Sequence, residues 1–339
     1  MNRELYQKEI AEFADDISFL AEKTLVISGA TGMIGSYLLD VLMAHCPTCR
    51  VIALGRSKAK AQARFGNYFD NPAFSFSETD IAKPISFDEK VDFIIHAASN
   101  THPVAYATDP IGTITANVAG LQNLLEYAAE HGVKRTLFLS SVEVYGENRG
   151  DVEAFDESYC GYIDCNTLRA GYPESKRLGE ALCQAYIKQK GLDIVIPRLS
   201  RVFGPTLLPS DTKALSQFLH KAIAGENIVL KSAGTQYYSY LYVSDVVSGV
   251  LACLKAGKCG EAYNLASENC NITLKDLAQM IADATGTRVV FELPDDVEKA
   301  GYSTATKAIM NSDKAAALGW RAKTDLKTAI EKTIRGMKE

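Results

Sequence analysis

TLVISGATGMIG, residues Thr24–Gly35, joins a short apolar run to three glycines and is followed by apolar residues at helical spacing. Leu25, Val26 and Ile27 have the composition of a strand buried on both faces. Gly29, Gly32 and Gly35 then suit a turn in which backbone must approach a ligand closely, because residues without Cβ permit that approach and tolerate positive φ. The helix that follows opens with unpaired N–H groups and a positive dipole end. Strand, glycine turn and helix together predict a cradle for the pyrophosphate of a dinucleotide.

Outward from this stretch, strand and helix signals alternate, which is the pattern of a parallel sheet wrapped by helices. Further strands are predicted at Arg50–Leu54, Phe74–Phe76, Val91–His96, Arg135–Leu139 and Asp193–Pro197. Long helices are predicted at Ile111–Glu130 and Tyr172–Gly191. Beyond Pro205 the pattern loosens into short mixed elements, including an aromatic run at Tyr237–Val243. The predicted organisation is an extra helix over residues 1–22 and a nucleotide-binding part over 23–200, to which 234–258 returns. Residues 201–233 and 259–339 then form a smaller lobe over the carboxyl ends of the strands, where open α/β sheets bind ligands.

The 339 residues carry a formal net charge of −5, and no long basic run is present, which argues against a nucleic-acid surface. No stretch approaches the roughly 18 apolar residues of a membrane span. The opening MNRELYQKEIAEFADDISFL is charged and amphipathic rather than a secretion signal, so the eight cysteines are expected as reduced thiols in a cytoplasmic protein. Cys46-Pro-Thr-Cys49 has metal-ligand spacing, but no second pair follows it, and no metal is expected. His45, His96, His102, His131 and His220 show no ligand spacing; His96 reads as a packing or hydrogen-bonding residue.

The chemistry concentrates in Tyr172-Pro-Glu-Ser-Lys176. Four residues apart on a helix, the phenol and ammonium share a face, and a nearby cation favours phenolate. Such a tyrosine can take a proton from a substrate hydroxyl. Ser141, at the end of the Arg135–Leu139 strand, is placed to orient that hydroxyl.

These residues match a family. GATGMIG, VDFIIHAAS at Val91–Ser99, SSVEVYG at Ser140–Gly146, YPESK, RLSRVFGP at Arg198–Pro205, YVSDV at Tyr242–Val246 and LGW at Leu318–Trp320 occur in order. The chain resembles the extended short-chain dehydrogenase/reductases that act on nucleotide sugars, and within them the UDP-glucuronate decarboxylases. The resemblance implies a Rossmann-type doubly wound parallel sheet with a smaller mixed α/β substrate lobe, and catalysis by Ser141, Tyr172, Lys176 and Glu143. It also implies cofactor contacts from Gly29, Thr31, Gly32, Met33, Ile34, Gly35, Asp80, Ile81, Ala97, Ala98, Ser99, Asn117, Tyr172 and Lys176. Asn117 would hold the lysine through water. Substrate contacts would come from Thr101, Glu143, Arg169, Arg201, Tyr238 and Lys307, and two protomers would pair through the two long helices. Nucleotide-sugar 4,6-dehydratases precede the glutamate with an acidic aspartate, where this chain has Val142.

Three positions depart from the decarboxylase pattern: Arg201 for an asparagine, and Tyr238 and Lys307 for arginines. Arg201 is expected to replace the lost phosphate ligand from the opposite wall. At the end of the second strand Gly55 stands where an acid usually holds the ribose of NAD, and Arg56 follows it, as in sites for a 2′-phosphate. The residues therefore lean to NADP and the resemblance to NAD. A 4-epimerase or 4,6-dehydratase, an NADP-dependent reductase of a non-nucleotide substrate, and a non-catalytic nucleotide sensor stand as alternatives.

Overall fold

A computed structural model describes residues 2–99, 101, 103–292 and 305–338. The apolar runs become the parallel strands β1 (Thr24–Ser28), β2 (Arg50–Gly55), β3 (Phe74–Glu78), β4 (Phe93–His96), β5 (Arg135–Phe138), β6 (Ser140–Ser141) and β7 (Ile194–Leu199). β8 (Arg201–Phe203), β9 (Ile228–Leu230), β10 (Tyr237–Tyr242), β11 (Ala262–Leu265), β12 (Asn271–Thr273), β13 (Val289–Phe291) and β14 (Lys307–Ala308) follow.

Among the described residues the main sheet has the order β11-β7-β5-β4-β1-β2-β3, with β6 beside β7. Sequence order reverses at β1, which lies between β2 and β4. A parallel sheet must be covered on both faces. One face is closed by α2 (Met33–His45) and α8 (Val243–Ala256), the other by α5 (Pro110–His131) and α6 (Gly171–Lys190). Asp109 caps α5 by accepting from the Gly112 amide, with Pro110 at the first helical position, and left-handed Gly132 ends it.

The expected lobe boundaries are corrected by strand pairing. The sequence places 259–339 in the lobe, yet Ala262–Leu265 pairs with Ile196–Leu199 as the edge strand of the main sheet. Conversely, β10, assigned to the nucleotide-binding part, pairs with β8, β12 and β14 in the small sheet, and only α8 returns. The reason for the first lies in Asn264, a polar residue inside a short apolar run. Its fully buried side chain donates to the Phe155 and Asn311 carbonyls and accepts from the Tyr145 hydroxyl.

The N-terminal helix α1 (Arg3–Ala11) is tied down by shared carboxylates. Glu9 accepts from the hydroxyls of Tyr37 on α2 and Tyr242 on β10. Asp40 accepts from Tyr6 and Tyr68 and pairs with Arg64. No helix among the described residues is long and apolar enough to cross a membrane.

His96 ends β4, fully buried, with Nδ1 2.7 Å from the Ser28 hydroxyl and its ring stacked on Phe138. Burial, aided by the Lys176 charge, lowers its pKa to about 3. The unfolded chain therefore binds a proton below about pH 6.5 that the folded chain refuses, and stability falls on acidification. In His96→Asn this contribution disappears. The stability difference between wild type and variant, from urea melts between pH 6.5 and 4, is expected to shrink by about 1.4 kcal/mol per pH unit.

Candidate active site

The turn between β1 and α2 has the shape expected of a phosphate cradle. Gly29 is left-handed, at φ +69°, and a Cβ there would lie 2.7 Å from the Ala98 Cα. A Cβ on Gly35 would meet the Gly29 carbonyl oxygen at 2.4 Å. Gly32 caps α2 without a side-chain hydrogen bond, so the amide-bearing first turn of Met33, Ile34 and Gly35 has no side-chain acceptor at its cap. Thr31 lies in the same turn, and Ala97, Ala98 and Ser99 continue from β4 beside it. Ile81 is buried after β3, against Gly120 of α5, while Asp80 is exposed and caps the Ala82 amide. Arg56 is exposed at the end of β2. This backbone concavity fits a dinucleotide.

Across the switch point, β6 leads into a turn of 3₁₀ helix over Val142–Tyr145. Ser141 accepts from the Glu143 amide, and its hydroxyl lies close enough to the Tyr172 phenol to favour the phenolate. Tyr172 and Lys176 sit one turn apart on α6, both buried. The expectation that Lys176 lowers the Tyr172 pKa is corrected. Burial raises the phenol to about 12; the nearby Ser141 hydroxyl and Arg169 lower it, and Glu143 raises it. Lys176 turns instead to the sheet, donating to the Leu139 carbonyl at 2.8 Å and lying 4.6 Å over the Phe138 ring, and burial lowers its pKa to about 7. Asn117 donates to the Ser175 hydroxyl, which donates to the Tyr172 carbonyl; the Asn117 Oδ1 is buried with no partner among the described residues. That orphan acceptor suits a bridging water.

A cleft of about 730 Å³ opens above these groups. Thr101, Glu143, Arg169, Arg201 and Tyr238 line it together with Ser141, Tyr172, Met33 and Ile34. Glu143 pairs with Arg169 at 2.8 Å through one oxygen and approaches Arg201 at 3.9 Å through the other. Arg201 lies 3.5 Å from the centre of the Tyr238 ring, whose hydroxyl donates to the Ala305 carbonyl. Lys307 departs from expectation. Its register in β14, opposite Tyr237, carries the side chain to Glu153 at 2.8 Å, and it is not among the cleft-lining residues. His102 lies outside the described residues. Among the described residues no group of three or more His, Cys, Asp or Glu is placed to hold a metal ion.

Residues 25–266 match the model of the NAD dependent epimerase/dehydratase family. The chain belongs to that family. UDP-glucuronic acid decarboxylase 5 of Arabidopsis thaliana is 30% identical over 311 residues, covering 90% of this chain and 86% of that protein. UDP-glucuronic acid decarboxylase 1 of Xenopus tropicalis is 29% identical over 325 residues, covering 94% of this chain and 73% of that one. The solved UDP-glucuronic acid 4-epimerase from Bacillus cereus, in complex with UDP-glucuronic acid and NAD, shares the fold at a TM-score of 0.78. It is 22% identical, and the match covers 93% of this chain and 98% of that one.

In this epimerase/dehydratase family member, sequence reasoning missed Tyr106 on the short helix α4 (Pro103–Thr108). Its ring stacks on Tyr172 at 5.0 Å and carries the Arg169 guanidinium 4.9 Å from its centre. An aromatic residue in a segment without strand or glycine signals gave no local clue to that contact.

The cradle is testable by filling it. In Gly35→Ala the new methyl meets backbone atoms, which cannot rotate away. Loss of at least tenfold in affinity for NADH by fluorescence titration is expected, with a stability loss of roughly 1–3 kcal/mol in urea melts.

Proposed function

We propose that this chain decarboxylates a UDP-linked uronic acid, UDP-glucuronate, through transient oxidation at C4 of the sugar. The observation that carries the reading is Glu143 beside Ser141 and Tyr172 in the cleft, next to a buried Val142 that has no proton to give a leaving hydroxyl. The named decarboxylase relatives, which span nearly the whole chain, support it.

Gly29, Gly32 and Gly35, with Ala97 and Ala98 beside them, would hold the pyrophosphate half of a nicotinamide dinucleotide. That group supplies hydride acceptance and return at C4. Tyr172 is the group placed to take the proton from the C4 hydroxyl. Burial holds its phenol protonated, so the role requires a cationic group bound in the cradle to favour the phenolate, and Ser141 beside the phenol would orient the substrate oxygen. A 4-keto group lies β to a C5 carboxylate: the C5–carboxylate bond breaks, its electrons pass to the 4-keto oxygen as carbon dioxide leaves, and the enolate then takes a proton from solvent at C5. Glu143 acts beside C5, its carboxylate fixed by Arg169. Arg56 is the residue that would accommodate a 2′-phosphate, so NADP remains compatible with the exposed end of β2, while the family's description favours NAD. Mass spectrometry of the dinucleotide released on denaturation decides between them.

Incubation with UDP-glucuronate is expected to release carbon dioxide without net change in the cofactor's redox state. Tyr172→Phe is expected to lower turnover at least a hundredfold. Formation of the C4 epimer with the carboxylate retained would transfer the reading to epimerisation, and net cofactor reduction would overturn the self-restoring cycle.

A homodimer and a cytoplasmic location belong to the same reading. Ile111, Ile114 and Leu178, on α5 and α6, and Leu168 just before α6 are exposed apolar residues. We propose that a second copy covers them across a two-fold axis. Sedimentation of the wild type as a dimer is expected, and Ile111→Asp combined with Leu178→Asp is expected to shift it towards monomer.

A further inference from the structure

We infer that Arg201, together with Arg169, forms a two-guanidinium subsite that holds the carboxylate of the sugar. The substrate class here rests on the decarboxylase reading; the assignment of the subsite comes from its own geometry. The two arginines approach Glu143 from different elements: Arg169, just ahead of α6, bonds one carboxylate oxygen at 2.8 Å, and Arg201, at the start of β8, stands 3.9 Å from the other. Two cations therefore face one anion. Each arginine also keeps an Nη1 that is buried and without a hydrogen-bond partner among the described residues. A buried guanidinium N–H without an acceptor is costly, and a wall of the cleft with two of them calls for an anionic oxygen group.

The position selects which anion. Glu143 stands two residues beyond Ser141, and Arg169 lies over the Tyr106 ring that stacks on Tyr172, so this wall lies at the reacting end of the sugar. A second carboxylate brought beside Glu143 alone would be repelled; between Arg169 and Arg201 the local charges balance. Arg201 is prepared for this role. Its guanidinium carbon lies 3.5 Å over the centre of the Tyr238 ring, and the Tyr238 hydroxyl is anchored to the Ala305 carbonyl, so the fork is held before substrate arrives. Tyr238, which replaces an arginine of the resembled decarboxylases, thus acts as the platform for the arginine that stands on β8. A neutral hydroxymethyl group in the same place would leave the fork without a partner, and the site discriminates on that basis.

Binding without turnover tests this. In a Tyr172→Phe background, calorimetric titration with UDP-glucuronate and UDP-glucose is compared for Arg201, Arg201→Gln and Arg201→Lys. Arg201→Gln is expected to weaken UDP-glucuronate binding roughly tenfold to a hundredfold, with UDP-glucose changed less than about twofold. Arg201→Lys keeps the charge but not the fork, and an intermediate loss confined to UDP-glucuronate is expected. An equal loss for both ligands in Arg201→Lys would place the arginine at the phosphates they share and overturn the inference, as would no loss for either ligand in both variants. Selective loss of UDP-glucuronate affinity without carbon dioxide release by the wild-type chain would retain the subsite and remove the decarboxylation.

Discussion

Lys176 is buried between α6 and the main sheet, and the neighbouring structure serves to hold it there. An ammonium so enclosed is costly, and its lowered pKa records that cost. The compensation is local: the Leu139 carbonyl at the break between β5 and β6, the Phe138 ring, and the Glu180 carboxylate one turn along α6. Leu139 is available as an acceptor because the strand is interrupted between Phe138 and Ser140. The same interruption turns the chain so that Ser141 faces the cleft beside Tyr172. One irregularity in a parallel strand thus positions the lysine, the serine and, through the following 3₁₀ turn, Glu143.

Glu143 is the second centre of organisation. In a cleft lined by several cations, a single carboxylate fixes one guanidinium from the α6 side and attracts another from β8. Burial opposes the Arg169 charge, but the Glu143 carboxylate, which it hydrogen-bonds, outweighs that cost and raises its pKa. The arrangement is rigid because aromatic faces carry the cations, with Arg169 over Tyr106 and Arg201 over Tyr238. Planar cations on planar rings keep their N–H edges in fixed directions, which point charges on flexible stems do not.

What could be read from the chain alone was whatever is local. The glycine turn, the apolar strands and the i, i+4 relation of Tyr172 and Lys176 are written in neighbouring residues, and Glu143 and Arg169 came from motifs of the resembled family. The misplacements concern partners far apart in sequence. Asn264 looks wrong for a buried strand until Tyr145, Phe155 and Asn311 satisfy it. Lys307 looks like a substrate ligand until the register of β14 sends it to Glu153. The direction of the Tyr172 shift failed for a different reason. Helical spacing sets a face but not a depth, and at this depth desolvation outweighs the nearby charge.

The crossings between the main sheet and the small lobe have a mechanical consequence. The chain leaves the sheet after β7, returns at α8 and β11, and leaves again at β12, while Glu9 bonds α2 and β10 simultaneously. A two-lobed molecule joined by one strap can swing open about that strap. Here several connections lie side by side, and rotation about any one strains the others. Chain crossings of this kind resist hinge rotation between the sheet and the lobe, because every segment that crosses must bend together.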